Sequence, residues 1–478
     1  MKFGYYGKSM PFGPDSYKDV SKMAYLTSEQ ALADYAHLFY YMKNGQKHDD
    51  GSPTFDVKTK VVLFGGSYGG MLSAWFRMKY PHLSVGAWAS SAPLKYFNGG
   101  GVDWGAFDLV TTRTFKDAGA NFNNVKNGWN AILKLSQTAD GQDYLNKLFN
   151  VASNSTIKDI NGGWNLVYFV REAIEYMAMT DYPYPTNFLV PMPGFPVKVA
   201  AKYLGGADSN DDKALVAALF KASMVYYNQD NNADPTFVSC IDPVQCGDPG
   251  TAGLGDALGW PWQECTEIVV EMCANNQSFF LEDTGCTTKP LQVLKDSCNQ
   301  VFGNMGWTEK FFRENGVRDL YGLTLVGYYN MILTQGYLDP WSSGGYKTTD
   351  AGVGQQQGIY VAEIQGSAHH LDLRTPNTCD GEPTHNMRYQ AVNIINCWLT
   401  DGCISPPLQP LPALNDLTNV TCKDWIQGYP WGQNGTVTLP PGTVTGSTVT
   451  PVPTTSMAVT SLPLISFIFY LLRVVRAI

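Results

Sequence analysis

Three short segments, far apart in the chain, contain the residue types of a serine nucleophile, an acid and a base. In the first, Ser67 is the central residue of a Gly-x-Ser-x-Gly sequence, which follows the apolar residues 61–64 and precedes a helix-like stretch at 71–79. Glycines on both sides allow a sharp strand-to-helix turn, which exposes the serine hydroxyl and directs the helix N-terminus at an oxyanion. The same residues also suit a tight turn without catalytic function, so Ser67 needs partners before it is identified as a nucleophile.

The other two segments supply these partners. Asp339 directly follows the apolar segment NMILTQG, and the pair His369 and His370 follows GIYVAEI. Loops after the strands of a parallel sheet are where α/β enzymes place catalytic groups, and the order Ser, Asp, His is that of the α/β hydrolases. Asp339 also fits a plain Asp-Pro turn, and the residues alone do not choose between the adjacent histidines. The remaining histidines have contexts typical of structural or solvated side chains: His37, His48, His82 and His385.

Alternating helical and strand patterns surround these segments and predict an α/β fold with a parallel sheet. A helix is predicted from Thr27, with Gln30 completing a capping box, to Gly45. Strands are predicted within VVLF, SVGAWASSAPL, GLTLVGYYNMILTQG and GIYVAEI, and a closing helix within NMRYQAVNIINCWL. From about 95 to 320, helical and loop-rich stretches replace this alternation. We therefore expect a sheet domain with an inserted, mainly helical cap.

These patterns divide the chain into five parts. The sheet domain takes 1–95, with the serine turn, and 321–405, with the acid and the histidine pair; the helical cap takes 96–320. Residues 406–456 form a C-terminal extension with a stalk rich in Thr and Pro, and 457–478 form a hydrophobic tail. The apolar run in the tail is shorter than the roughly 20 residues that span a bilayer. A membrane anchor, a lipid-anchor signal and a disordered tail are therefore all open interpretations.

Composition indicates an exported protein. The net charge of -9 is spread without long acidic runs, which argues against nucleic acid as a partner. All ten cysteines lie between Cys240 and Cys422, in spacings that favour disulfides over a zinc site, and we expect neither a metal nor a cofactor. Four glycosylation sequons also point to an oxidising compartment, at Asn154, Asn276, Asn419 and Asn434.

The motifs resemble those of a known peptidase family. The segments GGSYGGMLSAWFRMKYPH, GYLDPWSSGG and GSAHHLDLR look like the active-site motifs of the prolyl-specific serine exopeptidases, which include lysosomal Pro-X carboxypeptidase, dipeptidyl peptidase II and thymus-specific serine protease. The resemblance extends over most of the chain from Tyr5 to about Leu399. It implies an α/β-hydrolase sheet with a helical cap. By motif position, it implies Ser67 as nucleophile, Asp339 as orienting acid and His369, rather than His370, as base.

The resemblance also suggests how a substrate is bound. The oxyanion hole would use the backbone N–H groups of Tyr68 and of Tyr6, within the Tyr-Tyr-Gly segment. The dipeptidyl peptidase II branch looks closest, because CIDPVQCG is similar to a segment of that branch whose aspartate, here Asp242, holds the free amino terminus of the substrate. The same matching implies a proline or alanine pocket lined by Met71, Trp341, Tyr182 and Phe188.

The expected activity is therefore cleavage after proline or alanine, releasing N-terminal Xaa-Pro dipeptides, with peptides that carry proline near a terminus as partners and a homodimer as one expected assembly. Carboxypeptidase action on Pro-Xaa termini is the alternative within the family, and an esterase or lipase, or an inactive adhesion protein, are alternatives outside it. The expected location is lysosomal, vesicular or secreted, with the tail as a candidate membrane attachment.

Two departures from the family pattern affect these expectations. The start of the chain, MKFGYYGKSMPFG, is not a signal peptide and lacks the Glu-His-Arg that usually precedes Tyr-Tyr-Gly. We therefore expect an N-terminally truncated chain in which the first strands of the sheet are missing. Ala201 stands where relatives usually have cysteine, which suggests a different disulfide arrangement in the cap.

Overall fold

A parallel sheet of four strands forms the base of the site. The computed structural model describes residues 4–45, 47, 51, 55–230, 234–242, 258–270, 272–282, 286, 288–417 and 420–424. Within these residues the strands lie side by side in chain order, all parallel. They are β1 (Val62–Gly66), β2 (Gly86–Ser90), β3 (Met331–Gly336) and β4 (Ile359–Ile364). The expected α/β class with a parallel sheet is confirmed.

Helices cover both faces of this sheet. Helix α3 (Tyr68–Lys79) packs on β1 and β2, and a long helix near the end of the described chain, Glu382–Leu399, packs on β2 and β4. Every residue of β2 is buried, as expected for a central strand covered on both faces. Two hydrophobic clusters lie on opposite faces of the sheet. Ala87 and Ala89 of β2 belong to the cluster that includes α3, whereas Trp88 belongs to the cluster that includes the helix Glu382–Leu399. The carboxyl ends of the strands therefore lie in a fixed frame.

Two local predictions are only partly correct. Thr27 caps α2 (Ser28–Asn44) by accepting a hydrogen bond from the N–H of Gln30 at 3.2 Å. The Gln30 side chain does not complete the capping box, because it donates to Asp34 one turn later, at 2.8 Å. The strand predicted in the apolar segment from Leu323 begins only at Met331. The residues before it form a turn, and Asn330 has a φ of 58°, which is incompatible with an extended strand.

A group of helices with its own hydrophobic cluster lies between β2 and β3 in the chain. The last helix of this group, Asp212–Tyr227, packs against the helices Phe122–Leu135, Ile160–Met179 and Pro196–Leu204. Parts of the predicted 96–320 cap pack elsewhere, because Trp262, Cys298 and Phe312 belong to the cluster around the sheet. The domain limits remain a prediction. The helices are α4 (Ala106–Asp117), α5 (Phe122–Leu135), α6 (Ala139–Leu148), α7 (Ile160–Met179), α8 (Pro196–Leu204) and α9 (Asp212–Tyr227).

Shorter helices complete the described chain. Before the sheet lies α1 (Val20–Met23), and the segments that return from the helical group to the sheet contain α10 (Gly259–Glu264), α11 (Pro290–Phe302) and α12 (Gly316–Tyr321). The long helix Glu382–Leu399 is α13. Helix α8 includes Ala201, which is buried in the helical cluster.

Disulfides tie several of these segments together. The pairs are Cys265–Cys298, Cys273–Cys286, Cys379–Cys422 and Cys397–Cys403, and Cys240 is also disulfide-bonded. The expectation of disulfides in preference to a zinc site is confirmed for these cysteines. Within the described ranges, none of the helices has the length and apolar character needed to cross a bilayer. The tail at 457–478 lies outside those ranges.

Candidate active site

Ser67 occupies a sharp turn between β1 and α3. Its backbone has φ 58° and ψ -130°, a conformation that non-glycine residues rarely adopt. Close packing requires a glycine at 65, because a Cβ on Gly65 would lie 2.0 Å from the carbonyl oxygen of Gly69, whereas a Cβ on Gly69 would meet nothing within 4 Å. The N–H of Ser67 donates to the carbonyl of Ser90 in β2 at 2.9 Å. The strand-turn-helix arrangement expected from the Gly-x-Ser-x-Gly spacing is therefore present, with the serine partly exposed.

Asp339 and His369 lie in contact beyond the ends of β3 and β4. Oδ2 of Asp339 is 2.7 Å from Nδ1 of His369, and both side chains are buried. The other carboxylate oxygen of Asp339 accepts the N–H of Trp341 at 3.1 Å. His369 is held in turn by its N–H, which donates to Met179, and by its carbonyl, which accepts the hydroxyl of Tyr182 at 3.0 Å. A buried carboxylate in this position fixes the orientation and tautomer of an imidazole.

His370 has different surroundings from its neighbour. Its N–H donates to the hydroxyl of Ser91 at 2.8 Å, and its ring lies so close to Gly66 that a Cβ there would be 2.9 Å away. Burial, followed by the charges of His369 and Arg374, lowers the pKa of His370 well below its ordinary value. His370 is therefore a neutral ring beside the serine turn, and of the two histidines only His369 is hydrogen-bonded to Asp339.

The serine turn and the histidine loop are joined through a residue that sequence reasoning missed. Asp372 is buried and accepts hydrogen bonds from the hydroxyls of Ser90 and Thr334. Ser90 also accepts the N–H of Ser67, so one carboxylate links three segments of the site. Among the described residues, no hydrogen bond joins the Ser67 hydroxyl to His369; such bonds often tighten only in the complex with substrate.

Tyr6 and Tyr68, the candidates for the oxyanion hole, are connected by their side chains. Tyr68 is the first residue of α3, next to Ser67. The hydroxyl of Tyr6 donates to Oε1 of Gln263 at 2.6 Å, and Nε2 of the same glutamine donates to the hydroxyl of Tyr68 at 2.8 Å. The structure thus brings the two predicted residues together through Gln263, to which the sequence analysis assigned no role.

Two of the four predicted pocket residues, Tyr182 and Trp341, are hydrogen-bonded to the base or the acid, and a third, Phe188, packs on the neighbouring His370. Trp341 packs edge-on against Phe107 and donates from Nε1 to the sulfur of Met179 at 3.2 Å. Tyr182 is hydrogen-bonded to the carbonyl of His369. Phe188 packs edge-on against the ring of His370, with ring centroids 5.4 Å apart. The fourth, Met71, is a buried residue one turn along α3, whose N–H donates to the carbonyl of Ser67.

The rings of Tyr182, Phe188 and Trp341 are called the aromatic wall here, and the cation Arg374 lies against two of them. Its guanidinium lies 4.3 Å from the ring centroid of Tyr182 and 5.6 Å from that of Phe188, and one nitrogen donates to Thr186 at 3.1 Å. Within the described chain, no carboxylate lies within ion-pair distance of Arg374. The segment HHLDLR contained the signal for this residue, since Arg374 follows closely after the histidine pair.

The remaining predicted residues are Asp242 and the four glycosylation sequons. Asp242 ends the described range 234–242, and the preceding Ile241 donates to the hydroxyl of Ser155 in the helical group at 3.2 Å. The role predicted for Asp242 therefore stays a prediction. Of the four sequons, Asn154 and Asn276 are exposed, whereas Asn419 and Asn434 lie outside the described residues.

Comparison with known proteins shows which family the chain is similar to. A family model described as "Serine carboxypeptidase S28" matches residues 3–390. The chain is 50% identical to "Putative serine protease pcp-1" of Caenorhabditis elegans over 440 residues, which are 91% of this chain and 77% of the relative. It is 36% identical over 401 residues to "Prolyl carboxy peptidase like protein 5" of the same nematode, covering 83% of this chain and 76% of the relative. Identity to "Lysosomal Pro-X carboxypeptidase" of Homo sapiens is also 36% over 401 residues, with 83% and 73% covered.

Proposed function

The chain belongs to the serine carboxypeptidase S28 family of serine peptidases, and from this we propose that it removes the last residue of peptides whose penultimate residue is proline. The observation that carries the choice of terminus is Arg374, a cation against the rings of Tyr182 and Phe188 with no carboxylate within ion-pair distance among the described residues. The free carboxylate at the end of a peptide is the natural partner of such a group, because charge-assisted pairs with arginine are strong and directional. Relatives with 36% identity are named as acting on prolyl or Pro-X termini, which agrees with this choice.

Proline recognition is assigned to the aromatic wall. Tyr182, Phe188 and Trp341 place ring faces and edges around the acid and base. Flat aromatic surfaces suit the compact, apolar ring of proline, which buries its area without a backbone N–H to satisfy. Burial raises the pKa of the Tyr182 hydroxyl to about 12, so this group stays protonated and holds the carbonyl of His369.

The proposed reaction has two steps. In the first, Ser67 Oγ bonds to the carbonyl carbon of proline while His369 takes the hydroxyl proton, and the proton then passes to the leaving amine as the C–N bond breaks. In the second, water attacks the acyl-enzyme, gives its proton to His369 and releases the shortened peptide as Ser67 regains a proton. Asp339 stabilises the charged imidazole, and the N–H groups of Tyr68 and Tyr6 would bind the oxyanion.

Release of N-terminal dipeptides is the second candidate. It rests on Asp242, whose sequence context resembles a segment that holds a substrate ammonium group. An enzyme that uses Asp242 in this way requires a free amino terminus and tolerates a blocked carboxyl terminus. Carboxypeptidase action has the opposite requirements, which makes the two functions separable in one assay.

The test compares matched peptides at equal concentration. One has an acetylated amino terminus and ends in Pro-Phe with a free carboxylate; the second is its C-terminal amide; the third is Ala-Pro-anilide with a free amine. Cleavage of the first alone supports the proposal. Cleavage of the third alone would replace it with dipeptidyl release, and hydrolysis of simple acyl esters without any of the three would indicate an esterase.

Arg374 gives this proposal a residue-level prediction. In Arg374→Gln, KM for the free-carboxylate peptide should rise about 10- to 100-fold, the usual cost of one charge-assisted hydrogen bond. The exposed Arg318→Gln is the matched control and should leave KM unchanged. An unchanged KM in Arg374→Gln would remove the residue from the binding site.

The compartment follows from the same relatives and from the disulfides. Several relatives are named lysosomal, and at least four disulfides connect described segments of this chain. We propose a location on the secretory and lysosomal route, where disulfides persist.

A further inference from the structure

One buried side chain bridges the two segments that would form the oxyanion hole. Gln263 has no exposed surface and bonds the hydroxyl of Tyr6 with its oxygen and the hydroxyl of Tyr68 with its nitrogen. An amide is suited to this arrangement because it donates and accepts at once, whereas a carboxylate only accepts and an aliphatic side chain does neither. The bridge joins parts of the chain that are far apart in sequence.

The segment around Tyr6 is held by several links, including the hydroxyl of Tyr17, which donates to the carbonyl of Tyr5. It lies outside the helices and strands, and its backbone is unusual, because Tyr5 has φ 74° and Gly7 has φ 60°. Within the segment, the N–H of Tyr5 donates to the carbonyl of Ser9 at 2.7 Å. This local bond shapes the turn but does not set its distance from α3. The hydroxyl of Tyr6 provides a direct tie towards that helix, through Gln263.

The Tyr68 side of the bridge is already fixed. Tyr68 begins α3, where backbone N–H groups have no partner within the helix and point towards any oxyanion at Ser67. Its ring packs edge-on against Trp260 with centroids 5.5 Å apart. Burial, followed by the nearby carboxylate of Glu267, raises the pKa of the Tyr68 hydroxyl well above its ordinary value, so it stays neutral.

The glutamine itself sits on an anchored element. Helix α10 leads into Cys265, which is disulfide-bonded to Cys298 and whose carbonyl accepts the indole N–H of Trp307 at 3.0 Å. On the same helix, Gly259 leaves space for the ring of Tyr6, because a Cβ there would lie 3.0 Å from ring atoms. The site therefore receives support from a segment distant from all three catalytic motifs in sequence.

We infer that Gln263 is a positioning residue, which sets the distance between the backbone N–H groups of Tyr6 and Tyr68 by holding both side chains. The inference rests on the proposed function, because those N–H groups are assigned to the oxyanion there. Oxyanion donors act only when they lie about 2.7–3.1 Å from the developing charge. Loss of the bridge therefore weakens binding of the transition state while ground-state binding in the aromatic pocket persists.

The central experiment is Gln263→Leu in the full chain, a change that removes, at similar volume, both bonds of the bridge and the longer 3.4 Å bond from Nε2 to Glu267. Since displaced donors and misplaced groups of this kind cost about 10²-fold, kcat should fall about 10- to 100-fold with KM within about threefold of wild type. Rates are expressed per active site. The concentration of active sites is the amount of protein labelled by a fluorophosphonate when labelling is complete. Tyr6→Phe and Tyr68→Phe remove one bond each and should each lower kcat by less than Gln263→Leu.

A double-mutant cycle separates positioning from general stability. If the bridge acts as a unit, Gln263→Leu combined with Tyr6→Phe lowers kcat no further than Gln263→Leu alone. A proline boronate, which forms a tetrahedral adduct, should lose affinity in parallel with kcat. A kcat per active site within about twofold of wild type, or fully additive losses, would overturn the inference and leave Gln263 a structural residue.

Two controls separate an effect on the site from a general effect of the substitution and from a failure of the proposed specificity. The exposed Gln292→Leu on α11 makes the same chemical change away from the site and should leave kcat unaltered. The rate of fluorophosphonate labelling reports the nucleophile without any peptide. If wild type is labelled but cleaves no Pro-Xaa peptide, the assigned specificity fails while the labelling rates of Gln263→Leu and Tyr6→Phe still decide the inference: slower labelling supports it, and unchanged labelling overturns it.

Discussion

At the scale of single residues, the buried contact between Asp339 and His369 is the clearest functional feature. Asp339→Asn keeps the shape of the side chain but loses its charge, so it no longer favours the required tautomer or the imidazolium. By analogy with other serine peptidase triads, kcat should fall about 10³- to 10⁴-fold. The measurement is kcat at saturating substrate, normalised to labelled active sites.

The exposed Asp319→Asn serves as the control for this change. It alters an aspartate far from the site and should leave kcat at the wild-type value. Retention of more than about a tenth of kcat in Asp339→Asn would show that another group orients the base, since triad acids contribute far more than this.

Residues in familiar motifs, for which catalytic roles are proposed, could be selected from the sequence, whereas the residues that contact and support them could not. Asp339 and His369 follow apolar runs in the right order, and the structure places them 2.7 Å apart. The sequence patterns assign no role to Gln263 and Asp372, because their importance comes from which hydroxyl groups the fold brings within reach. A one-dimensional pattern contains spacing along the chain but not these distances.

At the scale of elements, the ends of β2 and β3 and the histidine loop meet at Asp372. Asp372→Ala would leave the hydroxyls of Ser90 and Thr334 buried without their acceptor. Each unsatisfied buried group costs about 1–3 kcal/mol, so the free energy of unfolding should fall by about 3 kcal/mol. Chemical denaturation with the disulfides intact, followed by tryptophan fluorescence, measures this loss.

The smaller change Ser90→Ala isolates one of the two bonds and should cost about 1 kcal/mol. Asp372→Ala should also lower kcat, because the histidine loop and the serine turn lose their common attachment. Full wild-type stability in Asp372→Ala would mean that the loop is held by its other contacts, such as the bonds from Arg388 to the carbonyls of Leu371 and Asp372.

Element prediction succeeded where side-chain periodicity decides the structure and failed where backbone geometry does. Strand β4 and helix α13 lie where their apolar patterns predicted them. The start of β3 was misplaced, because Leu323 to Asn330 is apolar enough for a strand but contains Gly327 and Asn330 with positive φ. Packing of α10 against the sheet cluster likewise depends on contacts that no local pattern encodes.

At the scale of the whole molecule, two buried groups give stability opposite dependences on pH. Burial raises the pKa of Asp181 to about 7, so the folded state binds this proton more tightly than the unfolded chain does. Its contribution is complete at low pH and is lost as the pH rises through 7. Burial, followed by the charge of Arg388, lowers the pKa of His385 to about 3, so stability is lost as the pH falls below 6.5.

These signs predict opposite effects of two substitutions. Between pH 7 and pH 5, Asp181→Asn should lose about 2 kcal/mol more unfolding free energy than wild type, and His385→Gln about 2 kcal/mol less. Denaturant titrations at the two pH values give both numbers. Parallel shifts in the two variants would show that neither group controls the response to acid.

The backbone conformation of Ser67 lowers the stability of the folded chain. A φ of 58° costs a residue with a side chain about 1–3 kcal/mol, and glycine adopts it freely. Ser67→Gly should therefore give a more stable protein that, under the proposed function, has lost its nucleophile. The serine side chain at this position thus lowers stability in exchange for a hydroxyl held clear of the sheet.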